Sequence, residues 1–164
     1  IIIAGDSAGG GLSVAVVLAL KDKNGSLPAA VLCLSPWVDL TLKNQSHITK
    51  VKAEALLRTD VLREWALCYT DESNLTNPLV SPIFADFHGF PPLLIQVGSE
   101  EILLDDSILL AEKAKADGAA ATLKIWDGMW HVWQALGGLL PENKKTFEEI
   151  GQFVRNQFGS DARA

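Results

Sequence analysis

IIIAGDSAGGGLSVAVVLAL, residues 1–20, holds the pattern on which the reading of this chain turns. An apolar run, Ile1–Ala4, meets Gly5-Asp6-Ser7-Ala8-Gly9, and a long apolar stretch follows directly. Strand, sharp turn and helix in that order are the setting of a G-x-S-x-G nucleophile elbow, which presents a serine hydroxyl for acyl transfer. The turn is so tight that residues two before and two after the serine are expected to crowd each other, and glycine at both relieves the clash. Leu12–Leu20 is apolar on every side and is expected to be buried. Its N-terminal N–H groups would then point where negative charge develops, with Ala8 N–H as the candidate oxyanion donor.

Working outward, further strands read at Ala29–Leu34, Leu93–Val97 and Thr122–Trp126. The continuous run Ala29–Leu34 suits a parallel strand covered on both faces, Leu93–Val97 reads as a further buried strand, and Thr122–Trp126 as a fourth strand. Between and after them, helical spacing predicts Ala8–Leu20, Lys52–Tyr69 (through Ala55, Leu56, Leu62, Trp65, Ala66 and Tyr69), Asp105–Asp117 and Glu142–Phe158. Ile108, Leu109, Ala111, Glu112 and Ala116 are expected on the inner side of the third helix, with Gly118 ending it. Phe147, Ile150, Phe153 and Phe158 are expected inward on the last. Alternating strands and helices make this an α/β chain with a mostly parallel sheet and right-handed crossovers. No internal repeat or linker divides residues 1–164, so they read as part of a single domain.

A serine needs a base, and the base needs an orienting acid. Of three histidines, His47 and His88 lie in polar or proline-rich stretches and read as solvated surface. His131 follows the fourth strand through Asp127-Gly128-Met129-Trp130, at the same sheet rim as Ser7, where α/β sheets bind ligands. The acid belongs between them, in the turn after the third strand, where Glu100, Glu101, Asp105 and Asp106 gather. Asp105 and Asp106 open a helix and read as capping carboxylates. Glu100 and Glu101 lie in the turn itself, and the residues alone leave both open.

The elbow GDSAGG, the loop DGMWH, the turn GSEEILLDDS and the stretch NPLVSPIFADFHGFPPLLIQVG together resemble the bacterial hormone-sensitive-lipase-like esterases. That resemblance implies the α/β-hydrolase fold and cleavage of small-molecule carboxylic esters without cofactor or metal. Ser7 would be nucleophile and His131 base. The family's acid turn, Asp-Pro-Leu-x-Asp, lays its first aspartate on Glu101 and its second on Asp105. The acid would thus be Glu101, a glutamate where the family commonly has aspartate, with Glu100 and Asp105 as alternatives. The family's upstream His-Gly-Gly-Gly oxyanion loop, early strands and N-terminal cap have no counterpart in this chain. A second chain supplying that half, or a longer natural protein, is therefore expected, with little activity from these residues by themselves and an unpaired edge on the first strand.

Trp37, Val38, Trp130 and Val132 are expected to line an apolar pocket for short or medium acyl groups. Trp133 fits pocket or core equally; Trp65 and Trp126 read as core, and Asp6 as structural. Amide, lactone or acetylated substrates would use the same triad, and a non-catalytic ligand-binding module of this fold is the reading from another class. A net charge of −6 and no Lys/Arg cluster argue against nucleic acid. Leu12–Leu20 is about half the length of a membrane span. Cys33 and Cys68 lack metal-ligand spacing and read as small buried hydrophobes, which suits a reducing compartment and a cytoplasmic protein.

Overall fold

The four expected strands are four strands in a computed structural model that describes residues 1–159; residues 160–164, the end of the expected domain, lie outside the described residues. The strands are β1 (Ile2–Asp6), β2 (Ala30–Leu34), β3 (Leu93–Gly98) and β4 (Ala121–Trp126). They form one parallel sheet in the order β1-β2-β3-β4. The helices are α1 (Ser7–Asp22), α2 (Ser46–Thr49), α3 (Thr59–Tyr69), α4 (Leu104–Ala116) and α5 (Pro141–Phe158).

Register separates the two faces. Val31 pairs with Leu93 and Cys33 with Ile95, and these four share a buried cluster with Val14 and Val17 of α1 and Leu110 and Ala114 of α4. The alternate positions face α5, where Gln96 Nε2 donates to the Thr146 carbonyl at 3.4 Å and Lys145 stands 5.6 Å over the Trp126 ring. The inner strands β2 and β3 are almost wholly buried, as their mostly apolar sequences require, with Gln96 of β3 hydrogen-bonded on the α5 side. The outer strands β1 and β4 are only half-covered, which for β1 corrects the reading of Ile1–Ala4 as a buried strand.

Several helical expectations need correction. One side of α1 packs on the sheet, while Leu12 and Val16 on its other side are 57% and 40% exposed. The helix before β3 begins at Thr59, not Lys52, and residues 50–58 are mostly turns. There Glu54 accepts the Leu56 and Leu57 N–H groups on one oxygen and the Ile102 N–H on the other, which competes with helical bonding. In α4 the inner side is Asp106, Ser107, Leu110, Ala111 and Ala114, so Leu109 and Glu112 turn outward. Gly118, at φ 85°, ends that helix as expected. In α5, Asn143 and Thr146 face inward, and Phe147 and Phe158 are exposed.

Candidate active site

Ser7 stands where β1 gives way to α1, with φ of 51°. A left-handed backbone is strained for any residue but glycine, and such strain is stored where geometry matters. The turn is tight enough that a Cβ on Gly5 would lie 2.2 Å from the Gly9 carbonyl oxygen. The crowding is one-sided, however: a Cβ on Gly9 would meet nothing within 4 Å. Ala8 follows in the first turn of α1, where backbone N–H groups have no helical partner. No acidic side chain lies within that turn, and Asp6 at the cap position makes no side-chain capping bond, which leaves those N–H groups free to meet developing negative charge.

His131 follows β4 and is nearly buried. Its Nε2 is 2.9 Å from Ser7 Oγ, and its Nδ1 is 2.9 Å from Glu101 Oε2. An ionised carboxylate can only accept, so a neutral imidazole carries its proton on Nδ1 and turns the Nε2 lone pair to the serine hydroxyl. Glu101 is fully buried just after β3. Its other oxygen accepts the Ser35 hydroxyl at 2.7 Å and the Gly98 N–H at 2.6 Å. Buried with both oxygens bonded, the carboxylate meets the condition a buried charge must satisfy.

The other three acids lie elsewhere. Glu100 accepts from the Ser99 hydroxyl at 2.9 Å and pairs with Lys50 at 3.5 Å. Asp105 accepts the Ser46 N–H at 2.8 Å. Fully buried Asp106 accepts the Val38 and Asp39 N–H groups at 3.0 Å and the Asn44 amide at 2.8 Å. Asp105 and Asp106 thus tether the loop after β2, and neither caps its own helix. His47 corrects the surface reading. It is buried, with Nε2 3.6 Å from Asp106 Oδ1 and neither ring nitrogen hydrogen-bonded within the described residues. Nothing in the polar run around it signals this. His88 is exposed.

An apolar cavity of about 350 Å³ opens beside the elbow, with Ala8, Trp37, Leu40, Trp65, Tyr69 and Val80 among its walls. Of the four expected wall residues only Trp37 lines it, its indole N–H donating to the Asp39 carbonyl at 3.1 Å. Val38 is wholly buried in the core. Trp130 and Val132 are half-buried on either side of His131 in sequence and do not line this cavity. Trp65, expected in the core, is 54% exposed on the wall, and Trp133 is fully buried. Burial pushes the Cys33 thiol up to about 12, so it offers no competing thiolate. Cys68 is exposed, against expectation. Among the described residues no three His, Cys, Asp or Glu side chains group as around a metal ion, and no helix is long and apolar enough to cross a membrane.

A family model described as alpha/beta hydrolase fold matches residues 1–135. An acetyl-hydrolase of Streptomyces hygroscopicus is 45% identical over 157 residues, which cover 96% of this chain and 52% of that protein. An esterase of Acinetobacter venetianus is 40% identical over 155 residues, covering 94% and 51%. The solved structure of an esterase from the bacterial hormone-sensitive lipase family is 45% identical, with TM-score 0.94, covering 97% of this chain and 54% of that one. The chain therefore spans about half the length of the relatives it matches.

Proposed function

The chain belongs to the α/β-hydrolase family, on its bacterial hormone-sensitive-lipase-like branch, and from that premise we propose that the protein carrying it hydrolyses carboxylic esters through Ser7, His131 and Glu101. The observation that carries this reading is the pair of 2.9 Å contacts joining Glu101, His131 and Ser7 across distant parts of the sequence.

His131 Nε2 takes the hydroxyl proton as Ser7 Oγ attacks the ester carbonyl carbon. The carbonyl π bond opens to an oxyanion, which accepts the Ala8 N–H. Glu101 stabilises the imidazolium through Nδ1 and keeps the ring in its productive tautomer. Nε2–H then protonates the leaving alkoxide, releasing the alcohol and forming the acyl-enzyme. Water repeats the cycle, releases the acid and restores Ser7. Since only neutral imidazole accepts a proton, turnover falls in acid.

Relatives named acetyl-hydrolase and esterase, together with the small apolar cavity at the elbow, support short to medium acyl groups. The test uses the protein at its natural length with aryl esters from acetyl to dodecanoyl, beside Ser7→Ala. Turnover of the shorter esters, abolished by Ser7→Ala and by an organophosphonate bound to Ser7, is expected. Undiminished turnover in Ser7→Ala would overturn the reading.

A further inference from the structure

Ser35 directly follows β2, is fully buried, and has φ of 46° although it precedes Pro36. Five non-glycine residues among those described have positive φ, and Ser7, Ser35 and Val132 (φ 49°) are three of them. A β-branched residue such as Val132 is an outlier there. These three strained positions lie within one set of contacts. The Ser35 hydroxyl donates to Glu101 Oε1 at 2.7 Å and accepts the N–H of Val132, the residue after His131, at 3.1 Å. One hydroxyl carries one proton and two lone pairs, so both bonds coexist. Two residues on, the Trp37 N–H donates to the Ser7 carbonyl at 2.9 Å. The segment Ser35-Pro36-Trp37 thus bonds to the elbow, to the acid and to the turn carrying the base.

Glutamate has one more rotatable bond than aspartate, so its carboxylate plane needs more support to present one oxygen to an imidazole. Oε1 has two such supports, the Ser35 hydroxyl and the Gly98 N–H, and Oε2 is thereby left facing Nδ1.

We infer that Ser35 is a positioning residue of the proposed hydrolysis: its hydroxyl orients the Glu101 carboxylate and holds the turn that bears His131. The inference rests on the Ser7–His131–Glu101 reading. Ser35 touches neither the serine nucleophile nor the reacting carbonyl and acts through Glu101 and Val132.

The test compares Ser35→Ala and Ser35→Gly in the protein at its natural length. Glycine removes the hydroxyl and also relieves the positive φ, so it separates positioning from backbone strain. Both variants are expected to lower kcat on the order of 10–100-fold, the range typical when groups supporting an ordered site are removed. KM should stay within about twofold, and the melting temperature of the glycine variant should not fall. The low-field proton resonance of His131 Nδ1–H should move or broaden in both. If the alanine protein fails to fold, the glycine protein decides. Folded variants with native kcat and an unmoved resonance would overturn the inference, as would a raised KM at native kcat. Should Ser7→Ala leave turnover intact, the hydrolase reading falls, and the Nδ1–H resonance still decides whether Ser35 orients Glu101.

Discussion

Glu101 holds its place through atoms from three separate stretches: Ser35, Gly98 and His131. In Glu101→Gln the Gly98 N–H, which can only donate, claims the amide oxygen, so the NH2 group is turned to Nδ1 and forces the imidazole into the wrong tautomer. A loss of about 10⁴-fold in kcat with an unchanged fold is expected from steady-state kinetics and circular dichroism. Asp39 carries a different prediction. Burial pushes its carboxyl up, hydrogen bonds from Thr41 pull it back, and the nearby Asp106 charge pushes it up again. A raised folded value means that its stability contribution is fully present at low pH and is lost as pH rises just past the ordinary carboxylate range. The melting temperature of Asp39→Asn relative to the native protein should therefore be most favourable near neutrality and decline as pH drops through that window. A difference independent of pH would refute it. Ser7 and His131 were legible because elbow spacing and strand-end placement are local signals. The burial of His47 and the tethers from Asp105 and Asp106 were not, since each depends on a loop some 60 residues away in sequence.

Hydrophobic periodicity located the strands and most helices to within about two residues, but it could not say which side of a helix faces in. In α5 two stripes compete, and the one bearing Asn143 wins because its amide bonds the Gly137 carbonyl at 2.7 Å. In α4 the buried stripe includes Asp106, whose loop contacts no helical wheel reveals. Leu110 on that stripe lies at 0% exposure in the cluster joining α1, α4 and the sheet. Leu110→Ala should cost about 2–5 kcal/mol in denaturant unfolding, whereas Leu109→Ala, at the 37%-exposed position beside it, should cost well under half of that. Equal costs would show that the helix is seated differently. The false start of the α3 helix at Lys52 has a local cause, because the Glu54 carboxylate occupies N–H groups that a helix would need.

At the scale of the molecule, every candidate catalytic group comes from a segment leaving the carboxyl ends of parallel strands, so strand order brings together residues far apart in the chain. β1 is an edge of the described sheet, and Leu12, Val16, Trp65 and Tyr69 are exposed apolar side chains, three of them (Leu12, Trp65 and Tyr69) around the cavity beside Ala8. We propose that these residues form one part of a larger hydrolase domain. The 164-residue chain by itself is then expected to hydrolyse esters at least 10²–10³-fold more slowly than the protein at its natural length, the effect of losing one oxyanion donor. Matched turnover from the two would refute this. The fold class was legible at this scale because β2 is a continuous apolar run and β3 is broken only by Gln96. The cavity wall was not, since Trp37 and Trp65 meet there only after the loop between them has folded.

The contrast between the two sulfur atoms has a practical use. With Cys33 sealed between β2 and α1 and Cys68 open to solvent on α3, a maleimide dye should attach in one-to-one stoichiometry without prior mutagenesis. Because α3 also carries Trp65 and Tyr69, the fluorophore would ride on the segment that borders the apolar cavity beside Ser7, and its emission would report when an inhibitor enters.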